Sequence, residues 1–185
     1  MALGIAAAAC FAVATVLLLG LHAMRTGLRP VGDAVSDYGT TRAHAGYRAM
    51  VVALGAGAIV LAAGLARTTD AGDLFWLWPY GASRIAIAWF MTDRDPAHVT
   101  PEGRIHWLLA AIAFTSIAFA ASDIRWTGAP GVVAPLGYAV AATAGVTLVT
   151  RVVLPLRGVF GLAERLLYAS SIAWLLVAAI DVASG

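Results

Sequence analysis

Lysine is absent from this chain; all twelve basic residues are arginine. Charge of either sign is scarce, at 12% of residues, and the formal net charge is only +2. Arginines scattered this thinly do not make the clustered basic surface that nucleic acid needs, so no nucleic-acid partner is expected. Cysteine is nearly missing as well. The single Cys10 lies inside an apolar run, which excludes a disulfide framework and a thiolate metal site. Polar sequence is short everywhere: the longest stretch, residues 25–45, is too small for a separate soluble domain. Nor does a basic segment precede the first apolar run. Arg25 and Arg29 follow it instead, so that run reads as a retained helix rather than a cleaved secretory signal.

What fills the chain is apolar sequence, 61% of its residues, at a mean hydropathy of +0.85. Six apolar spans stand out, near residues 2–24, 48–66, 74–91, 105–122, 131–154 and 159–181, each close to the ~20 residues that cross a bilayer. A backbone in lipid must satisfy its own hydrogen bonds, and the runs lack the short alternating pattern of barrel strands. The spans therefore predict an all-α integral membrane bundle of six transmembrane helices, one domain over residues 1–185, in a multi-pass cell-membrane protein. On the fifth span Gly137, Ala141 and Gly145 recur every fourth residue, a small-residue seam where a second helix can come close.

Arginine counts predict an orientation. The first, third and fifth connectors with their flanks hold Arg25, Arg29, Arg42, Arg48, Arg94, Arg104, Arg151, Arg157 and Arg165, against Arg67 and Arg125 for the second and fourth. The positive-inside bias then puts the odd connectors in the cytoplasm and both termini outside. The same end holds all four histidines and most of the acids.

Three features at that end carry chemistry. Arg84 lies inside the third span, where a charge is costly and needs an acid, a bound anion or a wet cavity to compensate it; Asp37, Asp93 and Glu164 are the expected carboxylate partners. Pro79, five residues earlier, would kink the span toward a cavity. On the sixth span Glu164, Tyr168 and Ser171 share one helical face, which should turn into the bundle, with Arg165 beside them. Finally, TDRDPAHVTPEGRIHW (residues 92–107) gathers Asp93, Asp95 and His106, residues that could hold a divalent cation or do acid and base work on a bound group. Within it Thr100, Pro101 and Glu102 read as the start of the fourth helix.

The runs VSDYG (35–39), TD (92–93), GRIHWLLAAIAF (103–114) and GLAERLLYA (161–169) resemble the bacterial and archaeal membrane family known as domain of unknown function 998. The resemblance covers nearly the whole chain. It implies six spans and a single site made of Ser36, Asp37, Asp93, His106, Glu164 and Arg165.

Two classes of function follow. In the first, Asp93, Asp95, His106 and Glu164 are catalytic or metal-binding. Arg84, Arg165, Ser36, Asp37 and Tyr38 then hold a lipid or isoprenoid with an anionic headgroup, drawn from the cytoplasmic leaflet. Membrane lipids and a small lipid-like ligand are the expected partners. In the second class the same cluster is a static ion-pair network in an accessory or transport protein. A remote third class is a haem protein using His22, His44 or His106 as axial ligands.

Overall fold

The computed structural model describes residues 1–66, 74–95, 98–123 and 131–184. Six α-helices follow one another: α1 (Ala2–Ala23), α2 (His44–Leu65), α3 (Leu77–Ala86), α4 (Pro101–Asp123), α5 (Val133–Val152) and α6 (Phe160–Ser184). Short 3-10 turns at Ser36–Thr40, Ile87–Trp89 and Leu154–Val159 lie between them, and the described residues contain no strand. α1, α2, α4, α5 and the run Leu154–Ser184 are each long and apolar enough to cross a membrane, the architecture of a multi-pass membrane protein. Each helix packs on the next, and α6 returns to α1, so the six close into a ring.

The third helix departs from the expected span over 74–91. Its α-helical part is ten residues long and ends in the 3-10 turn Ile87–Trp89. Pro79 falls in its first turn, where its missing N–H removes no bond within the α-helix. Trp76 stacks on Phe119 with ring centroids 4.8 Å apart, about one turn short of the end of α4 at Asp123.

Glycines decide where helices touch. A Cβ on Gly4 of α1 would overlap the backbone of Ala183 on α6, and one on Gly57 of α2 would lie 2.6 Å from the Phe11 ring of α1. Gly55 of α2 and Gly81 of α3 approach each other in the same way. The seam on α5 behaves differently along its length. At Gly137 a Cβ would overlap the Ala121 carbonyl of α4, whereas at Gly145 it would meet nothing within 4 Å. The two helices meet at one end and part toward the other.

Candidate functional site

The connectors α1–α2, α3–α4 and α5–α6 lie at one end of the ring, called here the polar end. A cavity of about 470 Å³ runs into the bundle from this end. Its volume lies within the ~300–1,000 Å³ typical of small-molecule sites. Tyr47, Arg84 and Glu164, from α2, α3 and α6, line one side. Ala110, Phe114, Ala118, Ala141 and Leu148, from α4 and α5, line the other. The second wall is mostly apolar, with His106 and Arg151 at its polar end and Thr115 and Thr147 along it.

Arg84 is the centre of the polar wall. Only 3% of it is exposed, as the expectation of an inward-facing charge requires, but the expected carboxylate is not its partner. Its Nη1 donates to the Tyr168 hydroxyl at 2.9 Å. The guanidinium carbon lies 4.8, 5.0 and 5.5 Å from the ring centroids of Tyr168, Phe114 and Tyr80. Its Nε has no hydrogen-bond partner. Ring faces attract a cation through their quadrupoles but do not neutralise it. The Tyr47 hydroxyl, buried on the same wall, is also without a partner.

Glu164, which is as buried as Arg84, accepts the Val35 N–H at 2.6 Å and so fastens the first connector to α6. Glu164, Tyr168 and Ser171 all face inward, as their spacing requires. Asp37 lines the cavity and accepts the Ala34 N–H at 2.9 Å. Burial pushes its carboxyl above the ordinary value, with that hydrogen bond opposing the shift. Ser36 lines the cavity beside it.

His106 lines the cavity from the first turns of α4. Its Nδ1 lies 2.8 Å from the Phe90 carbonyl. A carbonyl can only accept, so Nδ1 carries the proton and Nε2 keeps the lone pair in the neutral ring. Asp93 also lines the cavity, but its oxygens are occupied: it accepts the Thr100 N–H at 2.8 Å and the Thr100 hydroxyl at 2.9 Å. Thr100 Oγ1 in turn accepts the Gly103 N–H, the N-cap bond expected of it, and a Cβ on Gly103 would overlap the Asp93 carboxylate. Asp93 is thus an extension of the α4 cap.

The remaining candidates lie elsewhere. Asp95 pairs with His98 at 2.8 Å on the exposed third connector, outside the cavity lining. Tyr38 is buried with its ring edge-on to His22, also outside the lining. Arg165 is a structural tie: its Nε donates to His22 Nε2 at 2.7 Å, and its Nη1 to the carbonyls of Asp33 and Gly161 at 2.8 Å each. It joins α1, the first connector and α6 without reaching the cavity.

Three lining arginines at the polar end were not singled out as site residues: Arg94, Arg151 and Arg157. Arg151 lies over the Trp107 ring at 4.7 Å. Among the described residues the ion pairs are Arg29 with Asp33 and Asp95 with His98, so no arginine lining the cavity is paired with a carboxylate. No group of three or more His, Cys, Asp or Glu that could hold a metal occurs among the described residues. Both nitrogens of His22 are engaged, by the Leu18 carbonyl and by Arg165.

No curated protein and no solved structure matches the chain. A family model described as protein of unknown function (DUF998) matches residues 5–181, and the chain belongs to that family.

Proposed function

We propose that the cavity binds a lipid or isoprenoid with an anionic headgroup. The observation that carries this reading is Arg84: a cation held among aromatic rings, with an unbonded Nε and no paired carboxylate, on the wall of a cavity whose other side is mostly apolar. A buried charge held by a hydroxyl and ring faces but in no ion pair is costly, and a ligand anion would supply the compensation. The static ion-pair network draws no comparable support, since the lining arginines are unpaired.

The ligand comes from the cytoplasmic leaflet if the polar end faces the cytoplasm. Setting aside Arg94, Arg151 and Arg157 as ligand contacts still leaves six arginines flanking the odd connectors against two for the even ones. A reporter fused after Gly185 should therefore read as extracytoplasmic, and a cytoplasmic signal would move the site to the outer leaflet.

Mass spectrometry of lipids that co-purify in mild detergent tests the binding reading directly. The wild-type protein should carry an anionic amphiphile that Arg84→Met loses. Identical lipids on both proteins would remove the basis for the reading.

One observation favours a catalytic role for the same cavity. With its Nδ1 proton held by the Phe90 carbonyl, His106 offers Nε2 as a base, and Glu164 lines the same space as a carboxyl that can exchange a proton. Asp93 is engaged by the α4 cap and Asp95 by His98, so this reading rests on His106 and Glu164.

A further inference from the structure

The apolar side of the cavity is not sealed. Trp107, Ala111, Thr115 and Phe119 recur every fourth residue along α4; they line the cavity and are nevertheless exposed. On α5, Gly145 and Leu148 do the same. A stripe that is both lining and outer surface on two adjacent helices means that the gap between them opens sideways, out of the bundle. In a helix pair that crosses a bilayer, sideways is toward lipid. The opening has a frame. Toward the far end α4 and α5 close at the Gly137 and Ala121 contact, and at the polar end the Arg151 side chain bridges the gap by lying on the Trp107 ring.

Behind this window lie Arg84 and Tyr47, lining residues that each hold a buried donor without a hydrogen-bond partner, Arg84 Nε and the Tyr47 hydroxyl. Arg94, Arg151 and Arg157 add positive charge at the polar end of the same space. A carboxylate offers one charge and two oxygens to such a set. A phosphate monoester offers up to two charges and three strong acceptor oxygens, and matches it better. The window is one inter-helix gap wide. From Trp107 to Thr115 it extends eight residues, or ~12 Å at 1.5 Å per residue, most of one leaflet of a ~30 Å hydrocarbon core.

Resting on the binding reading above, we propose that the gap between α4 and α5 is a lateral window that admits the single hydrocarbon chain of a phosphate-headed lipid, whose phosphate is taken by Arg84 and Tyr47. Gly145 sets the width of the window. The Arg151 and Trp107 pair is a latch across its polar end; a cation on an exposed ring contributes only ~0.5–1 kcal/mol, weak enough to open readily.

The test uses the full chain in phosphatidylcholine nanodiscs, with dodecyl phosphate, dioleoyl phosphatidic acid and inorganic phosphate as probes and thermal shift and stopped-flow fluorescence as readouts. Dodecyl phosphate should stabilise the wild type, and the two-chain lipid and inorganic phosphate should not. Gly145→Phe should weaken dodecyl phosphate binding about tenfold or more, as forcing a ring into occupied space does. Its own melting temperature should not fall, since no atom lies within 4 Å of the new Cβ. Trp107→Ala removes the latch and should speed association, an effect that a folding defect would not mimic. Equal binding of the two-chain lipid, an equal shift with inorganic phosphate, or wild-type affinity and rate in both variants would overturn the window while leaving an Arg84-dependent anion site standing. Absence of any dodecyl phosphate binding by the wild type would overturn both.

Discussion

The two halves of the ring are built from the same kinds of residue and pack in opposite ways. Where α1 meets α2 and α6, glycines sit against backbone or buried rings: Gly4 against Ala183, Gly57 against Phe11. Where α4 meets α5 only Gly137 does so, and Gly145, two turns along the same face, borders empty space. Small residues in a membrane helix are thus not in themselves a sign of close packing. They permit it, and whether it happens depends on what the facing helix brings. Here the facing half leaves room, and the unpaired arginines look into that room.

The sharpest way to break the contrast is to make one substitution in both halves. Gly4→Leu has no space, so α1 and α6 must separate; the expected loss in detergent melts is ~3 kcal/mol, at the upper end of overpacking. Gly145→Leu meets nothing and replaces a poor helix former, so stability should hold or rise by up to ~1 kcal/mol. Equal losses would mean that α4 and α5 close around position 145 and that no window is open there.

Next in size is the contrast between two arginines. Arg165→Met strips hydrogen bonds from the Asp33 and Gly161 carbonyls and from His22, and should cost ~1–3 kcal/mol. Arg84→Met removes a cation in no ion pair with a carboxylate and takes one hydrogen bond from the Tyr168 hydroxyl, against the three that Arg165→Met removes, so its loss should be the smaller, ~1 kcal/mol. It should melt closer to wild type than Arg165→Met does, while losing its ligand. A large stability loss for Arg84→Met would restore the carboxylate pairing expected from sequence.

A smaller effect is expected at Glu164→Gln. The amide oxygen still accepts the Val35 N–H, so melting should stay within ~0.5 kcal/mol of wild type. A drop well beyond that would show that the charge itself holds the connector in place. The smallest effect concerns Asp37. Because burial raises its folded value, the carboxyl keeps its proton to higher pH than in the unfolded chain. Its contribution is fully present below the ordinary 3.8 and is lost as pH rises through the raised value. Asp37→Asn does not titrate and keeps an acceptor for Ala34, so it should gain slightly on wild type between acid and neutral pH. A difference independent of pH would mean that the carboxyl is well solvated.

Hydropathy made the bundle readable, because lipid imposes one rule on every span; α1, α2, α4, α5 and α6 lie within a few residues of their expected bounds. The clustering of Ser36, Asp37, Arg84, Asp93, His106 and Glu164 around one cavity was likewise prefigured by their common end of the chain's apolar runs. What stayed hidden depends on how helices are rotated against one another. Charge arithmetic pointed Arg84 at a carboxylate, whereas the register of α3, α4 and α6 offers it rings and a hydroxyl. Tyr47 went unnoticed because a tyrosine near a span end usually reads as an interface anchor; its inward direction is not written in its neighbours. The tie of Asp93 to Thr100 was not legible because it exists only once the loop has folded.

The short third helix has an effect beyond the bundle. Ten α-helical residues and a three-residue 3-10 turn rise only ~21 Å, whereas each long neighbour can match a ~30 Å hydrocarbon core. The apolar belt that the protein presents to the bilayer is therefore uneven, with a notch between α2 and α4. Mismatch costs a fraction of a kcal/mol per ångström, and lipids beside such a notch relieve it by shortening their chains or tilting. In a bilayer such a notch would thin the membrane next to α4, the helix that also borders the proposed window. A lipid at that place would give up part of its packing with its neighbours before entering the window.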